Sequence, residues 1–156
     1  MELEYLKRLE EYYKNTPKVS KIGVSIENIE NLEKELHLKF PKAYKEFLYL
    51  SGKRDNILGS FERGFENLES IQELAKSRIN LENLSLKQIW CFAEYNDADS
   101  FMFFFLNNEE NPPVYSFIAE KGLTDNNDKP VSYLKFRDSF SEYIEGCIDE
   151  ALKKKF

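Results

Sequence analysis

Ile29–Gly52, IENLEKELHLKFPKAYKEFLYLSG, reads as two amphipathic helices joined by a tight corner, and it decides the fold class. Ile29, Leu32 and Leu36 continue from Ile26 at three- and four-residue spacing, which makes one helical face apolar. Ser25 caps the start, with Val24 and Ile29 at the N′ and N4 positions of a hydrophobic staple. Phe40-Pro41 then opens a second helix, because proline at N1 forgoes no hydrogen bond. Tyr44, Phe47 and Leu48 form its apolar stripe, and Gly52 suits a left-handed residue at its end. Nothing in the segment is chemistry: its faces are core and its proline and glycine are punctuation.

Working outward, a first helix is predicted over Glu2–Lys14, burying Tyr5, Leu6, Leu9, Tyr12 and Tyr13. Beyond Gly52, two glycines (Gly59, Gly64) around Ile57-Leu58 and Phe61 suggest a loop with a weak strand. Ser70 and Glu73 make a capping box for a helix through Ile71, Leu74, Ala75 and Ile79, fraying near Asn80–Ser85. The run Ile89-Trp90-Cys91-Phe92-Ala93 suits a central strand covered on both faces, or on one face with an aromatic rim. Tyr95–Asp99 is turn chemistry, because Asn and Asp bond their own backbone and tolerate left-handed geometry. Phe101–Leu106 and Val114–Ile118 complete a three-stranded antiparallel meander. After a polar loop over Glu120–Lys129, a short Val131–Tyr133 segment offers a fourth strand. Ser139 and Glu142 box the last helix, whose stripe runs Phe140, Ile144, Cys147, Ile148, Ala151, Leu152 and which closes on Lys153–Lys155.

With 156 residues, 42% hydrophobic and 15% aromatic, the chain reads as one folded domain over residues 1–156. Twenty-two basic against 28 acidic residues leave a net charge of −6, which disfavours a phosphate backbone and suits a basic protein partner. No apolar run is long enough for a membrane span, and Glu2, Glu4, Glu10 and Glu11 replace the basic start of a leader. These readings exclude nucleic acid and membrane as partners and place the chain in the cytoplasm. Cys91 and Cys147 read there as small hydrophobes, not as a disulfide.

Searching for chemistry yields little. His37 is the only histidine and sits at a helix end, where it can meet terminal carbonyls. No G-x-S-x-G elbow and no phosphate loop occur. The carboxylates Glu94, Asp97 and Asp99 could approach a divalent cation, but the remaining ligands of a calcium loop are missing and an Asx-rich hairpin turn is favoured. The expectation is no enzyme, no metal and no cofactor.

Three blocks together resemble the SUKH superfamily of toxin-neutralising immunity proteins, related to fungal regulators of cell-wall synthesis. They are the helix–FP–helix–Gly segment, the strand–turn–strand CFAEYNDADSFMFFFL with its following PPVYSF, and the closing FRDSFSEYIEGCI. Ala98 stands where that family's turn usually carries glycine, and the only tryptophan, Trp90, lies in the sheet. The resemblance implies a single α+β domain, a mainly antiparallel sheet of about four to six strands flanked by helices. It also implies a non-enzymatic immunity protein that binds a cognate bacterial polymorphic toxin of nuclease type, with homodimerisation left open. The alternative is an interaction or regulatory module of the same fold with no toxin partner.

Acids mixed with exposed aromatics suit such a surface, since interface centres favour aromatic residues while charge steers arrival. Two regions supply both: Phe61, Glu62, Phe65 and Glu66 after the helix pair, and Glu94, Tyr95, Asp97 and Asp99 in the hairpin turn. These eight residues form the expected partner-binding face.

Overall fold

A computed structural model describes residues 1–119, 124–129 and 131–154. Among them, five α-helices flank a four-stranded antiparallel sheet, an α+β architecture. The helices are α1 (Lys7–Asn15), α2 (Ile26–Leu36), α3 (Lys42–Ser51), α4 (Leu68–Leu81) and α5 (Phe140–Lys153). The strands are β1 (Ile89–Tyr95), β2 (Ser100–Phe105), β3 (Val114–Ile118) and β4 (Tyr133–Arg137), in spatial order β1-β2-β3-β4. Residues 120–123 of the expected 120–129 loop lie outside the described residues, as does Lys155.

The corner forms as read, with two corrections. Ser25 Oγ accepts the Asn28 N–H at 3.2 Å, and the staple residues Val24 and Ile29 are both buried. Ile26, however, stands exposed. The left-handed helix end belongs to His37, at φ 53°, not to Gly52, at φ −62°. The Leu38 N–H reaches Glu33 O and the His37 N–H reaches Lys34 O, the paired bonds of a Schellman end. Glu33 then turns its carboxylate onto the Phe40 N–H at 2.7 Å. Pro41 occupies the N-cap of α3, one residue before the expected N1. Gly52 has another reason: a Cβ there would lie 2.7 Å from Leu48 O and 2.9 Å from Val24 Cγ2. Its nakedness lets the 22–24 segment lie against the end of α3, where the Val24 N–H bonds Leu48 O at 2.9 Å.

The start of α1 shows tertiary contact overriding propensity. Residues 2–6 are not helical, contrary to the expected Glu2 start. The buried carboxylate of Glu46 on α3 takes the N–H groups of Glu4, Tyr5 and Leu6, each at 3.0 Å, and holds Lys42 Nζ at 3.2 Å. A side chain from another helix thus satisfies amides that a helix start leaves unpaired. Likewise α4 begins at Leu68, after a single 3₁₀ turn over Phe65–Asn67, so the Ser70–Glu73 pair lies inside the helix instead of capping it.

Aromatic rings join the layers. Phe40, Tyr44, Phe140 and Tyr143 meet Trp90, Phe92 and Phe104 on one sheet face, with Tyr44 and Phe104 edge to face at 5.3 Å, and Phe47 packs on Tyr44 and Phe140. On the other face Phe101 stacks on Phe117 at 4.5 Å and Phe103 on Tyr115 at 5.5 Å. Each such pair contributes about 0.5–1.5 kcal/mol beyond its burial. The apolar run Trp90–Ala93 is buried as read, but β1 is an edge strand, not a central one. Its burial comes from the Phe40 and Phe140 rings on Trp90 and Phe92 and from α4, which packs against it. The fourth strand forms over Tyr133–Arg137, later than the expected Val131–Tyr133. The weak strand expected near Phe61 reduces to a single bridge, Glu62 to Glu94.

Candidate functional site

The loop after α3 is shaped by one buried carboxylate. Asp55 accepts the N–H groups of Ile57 and Leu58 at 2.9 and 3.0 Å and receives Arg63 Nε at 2.8 Å. Arg63 also donates to the carbonyls of Gly59, at 2.8 Å, and Phe61. The guanidinium thereby closes the loop on itself, and its charge is neutralised where Asp55 is almost wholly buried. Phe61 and Glu62 sit at the rim of this closure.

The hairpin turn between β1 and β2 lies beside it. Asn96, Asp97 and Ala98 all adopt left-handed backbone, with φ of 53°, 54° and 65°. Alanine there costs about 1–2 kcal/mol relative to a right-handed residue. Three contacts hold it. Glu94 Oε2 accepts the Ala98 N–H at 3.0 Å, Asn96 Nδ2 donates to Asp99 Oδ2 at 2.6 Å, and Arg78 of α4 pairs with Asp99. The Asp99 carbonyl then takes the Ala119 N–H at 2.8 Å.

These two loops are one surface. Glu62 and Glu94 exchange backbone bonds at 2.7 and 2.9 Å, and the Phe61 and Tyr95 rings meet edge to face at 6.5 Å. Four of the eight residues read from sequence, Phe61, Glu62, Glu94 and Tyr95, thus meet across the two loops, and the eight divide by position. Tyr95 is 51% exposed, and Glu62, Glu66 and Asp97 are also exposed. Among the described residues Glu66 and Asp97 pair with nothing, whereas Glu62 accepts from Asn67 Nδ2 at 2.6 Å. Phe61 and Phe65 are half-buried. Glu94 is 7% exposed and spends its carboxylate inside the turn, and Asp99 is braced by Arg78. Both carboxylates are thus engaged in holding the turn.

Sequence reasoning missed the residues that position this face. Asp55, Arg63 and Arg78 are ordinary charges in the sequence, and only folding reveals their shared targets. Gln72 gave no signal at all. Its carboxamide donates to Cys91 O at 2.6 Å and accepts the Cys91 N–H at 2.9 Å, pairing with β1 as a neighbouring strand would.

Groups with catalytic potential are scattered. His37 lines a cleft of about 950 Å³ beside α2 together with Glu30, Lys34, Lys39 and Lys45. No Ser, Thr or Cys is among its described lining residues, and Glu33 is committed to Phe40. Burial pushes the Cys147 thiol up to about 11 and drives Cys91 higher still, so both are protonated and poor nucleophiles at neutral pH. The cysteines are free, and no group of three His, Cys, Asp or Glu that could hold a metal occurs among the described residues. The hairpin turn adopts the left-handed geometry expected of it, but its Ala98 N–H bonds Glu94, and the Asp97 carboxylate bonds nothing among the described residues. No helix among the described residues is long and apolar enough to cross a membrane.

Residues 23–146, most of the chain, match the family model described as the SMI1 / KNR4 family (SUKH-1). No curated protein gives a significant match to the sequence.

Proposed function

This chain belongs to the SMI1 / KNR4 family (SUKH-1), and from that premise we propose that it is an immunity protein. It acts without catalysis: it binds a cognate bacterial polymorphic toxin, of nuclease type, and neutralises it in the cytoplasm as a single domain. The observation that carries the placement of the site is the merger of two acidic, aromatic loops through the Glu62–Glu94 bridge and the Phe61–Tyr95 contact. Tyr95 supplies a rigid amphipathic centre, and the unpaired Glu66 and Asp97 supply the field that draws in a basic enzyme. Because Asp55–Arg63 and Glu94–Ala98 already fix both loops, little conformational freedom is left to lose on binding.

Co-expression with the toxin encoded beside this chain tests the reading: growth is rescued, and the purified pair forms a complex. Reversing the two free charges (Glu66→Lys with Asp97→Lys) weakens the complex about tenfold at low salt and far less at high salt, mainly through the association rate. An affinity that is unchanged at low salt removes the acidic loops from the interface. A chain that neither rescues growth nor binds leaves a module of the same fold with another partner. Asp99 is left intact in this test because its pairing with Arg78 braces the turn.

A further inference from the structure

The face formed by the two acidic loops continues into an apolar groove of about 400 Å³. The sheet is its floor, through Ser100, Met102 and Ile118, and its walls are α5, at Cys147, and the loop after α3, at Ile57 and Phe61. Two contacts join the groove to the acidic face. The Phe61 ring that lines the groove also meets Tyr95 edge to face, and Ser100 is the cross-strand partner of Tyr95. The loop wall is already set, because the Asp55 carboxylate holds the Ile57 and Leu58 amides. Charge selects nothing within the groove. Arg137, on β4, lays its guanidinium 4.2 Å over the Phe136 ring, and Glu150, on α5, pairs with Lys153 at 3.1 Å, so one cation and one anion line it. The groove selects apolar bulk instead. An apolar cavity of roughly 150 Å³ holds a benzene ring, and this one has space for a large side chain and part of the segment that carries it.

We infer that an aromatic side chain of the toxin enters this groove and anchors the complex. This anchoring rests on the reading of the acidic loops as the toxin-binding face, and it names what seats beside them. Interfaces concentrate their energy on a few anchors, aromatic ones above all, held in well-packed pockets and ringed by groups that exclude water. Glu62, Glu66 and Asp97 then steer arrival, while the anchor sets how long the complex lasts. A second copy of the chain is a poor occupant. It carries the same net charge of −6 and would have to settle beside Glu62, Glu66 and Asp97.

The test pairs the whole chain with the purified toxin encoded beside it. Ser116 is half-buried in the groove and its hydroxyl bonds nothing among the described residues, so Ser116→Phe fills the space without breaking a bond. Calorimetry checks that the variant folds. Its affinity for the toxin should fall at least about tenfold, by the same factor at low and high salt and through faster dissociation. Glu66→Lys with Asp97→Lys acts instead on association, and strongly only at low salt. In the unsubstituted protein, complex formation should slow alkylation of Cys147 at least about tenfold, a readout that needs no variant. Unchanged affinity of a folded Ser116→Phe protein overturns the anchor, as does undiminished alkylation of Cys147 in the complex, and either result leaves the acidic loops to be judged by charge reversal. Failure of the toxin to bind the native chain overturns both readings. A dimer of the free chain that Ser116→Phe abolishes assigns the groove to a second copy and overturns the anchor too.

Discussion

The two edges of the sheet are finished by opposite means. At β1 the boundary is closed by side chain and loop: Gln72 supplies one donor and one acceptor to Cys91, Glu62 bridges Glu94, and α4 covers the strand. At β4 nothing described covers the backbone, and protection rests on a short strand, a register shift opposite Val114, and the charges of Lys135 and Arg137. The first is physical occlusion and the second is electrostatic discouragement. The difference teaches where the molecule tolerates change. An occluded edge is part of the core, whereas a discouraged edge is surface held in reserve.

The strongest way to break this contrast is Gln72→Leu, which keeps volume but strands the Cys91 N–H and C=O. A cost of about 2–4 kcal/mol is expected, a fall in Tm of roughly 5–15 °C, read by calorimetry. An unchanged Tm would mean that α4 alone closes the edge.

The cysteines give a second comparison, since Cys91 lies beneath the closed edge and Cys147 lines the groove near the open one. In native protein an alkylating reagent should modify Cys147 first, with a rate rising about tenfold per pH unit toward about 11 as thiolate forms. Cys91 should react only on unfolding. Both thiols are held protonated by burial, so their folded pKa values lie above the ordinary one near 9. The stability this gives is fully present below pH 9 and is lost as pH rises toward the folded values. Cys147 alone accounts for about 2 kcal/mol of that loss between pH 9 and 11, measurable as a falling urea midpoint. Cys91 labelled before Cys147 would reverse the assignment of the edges.

The smallest effect belongs to the open edge itself. Lys135→Thr removes an exposed pairing with Asp138 and should move Tm by no more than about 2 °C. A large fall would show that β4 is bound into the core after all.

Local signals were the legible ones. Ser25 and Ser139 cap their helices as read, each accepting the N–H three residues on at 3.2 Å, because capping is decided within one turn of chain. The meander of β1, β2 and β3 was equally visible from its turns and alternation. The rank of β1 in the sheet was not: a run of buried residues reads alike whether strands or a helix cover it. Gly52 misled for a similar reason, since a glycine kept for close approach looks the same in sequence as one kept for a left-handed turn. At the site, acid and aromatic character marked both loops, but the bridge that merges them joins residues distant in sequence. Glu94 shows the limit most clearly, for a turn carboxylate that reads as exposed is turned inward by the Ala98 N–H. The groove left no trace, because Met102, Ile118 and Cys147 read as ordinary core.

The Gln72 amide has a consequence for assembly. A particle with one receptive edge can be paired once, after which no second receptive edge remains. A particle with two such edges can join head to tail without closing, and growth of that kind ends in fibres. By occupying the Cys91 backbone, one carboxamide helps to leave β4 as the one open edge among the described residues. Loss of that amide would therefore be felt in the solubility of a crowded solution as well as in the unfolding of a single molecule.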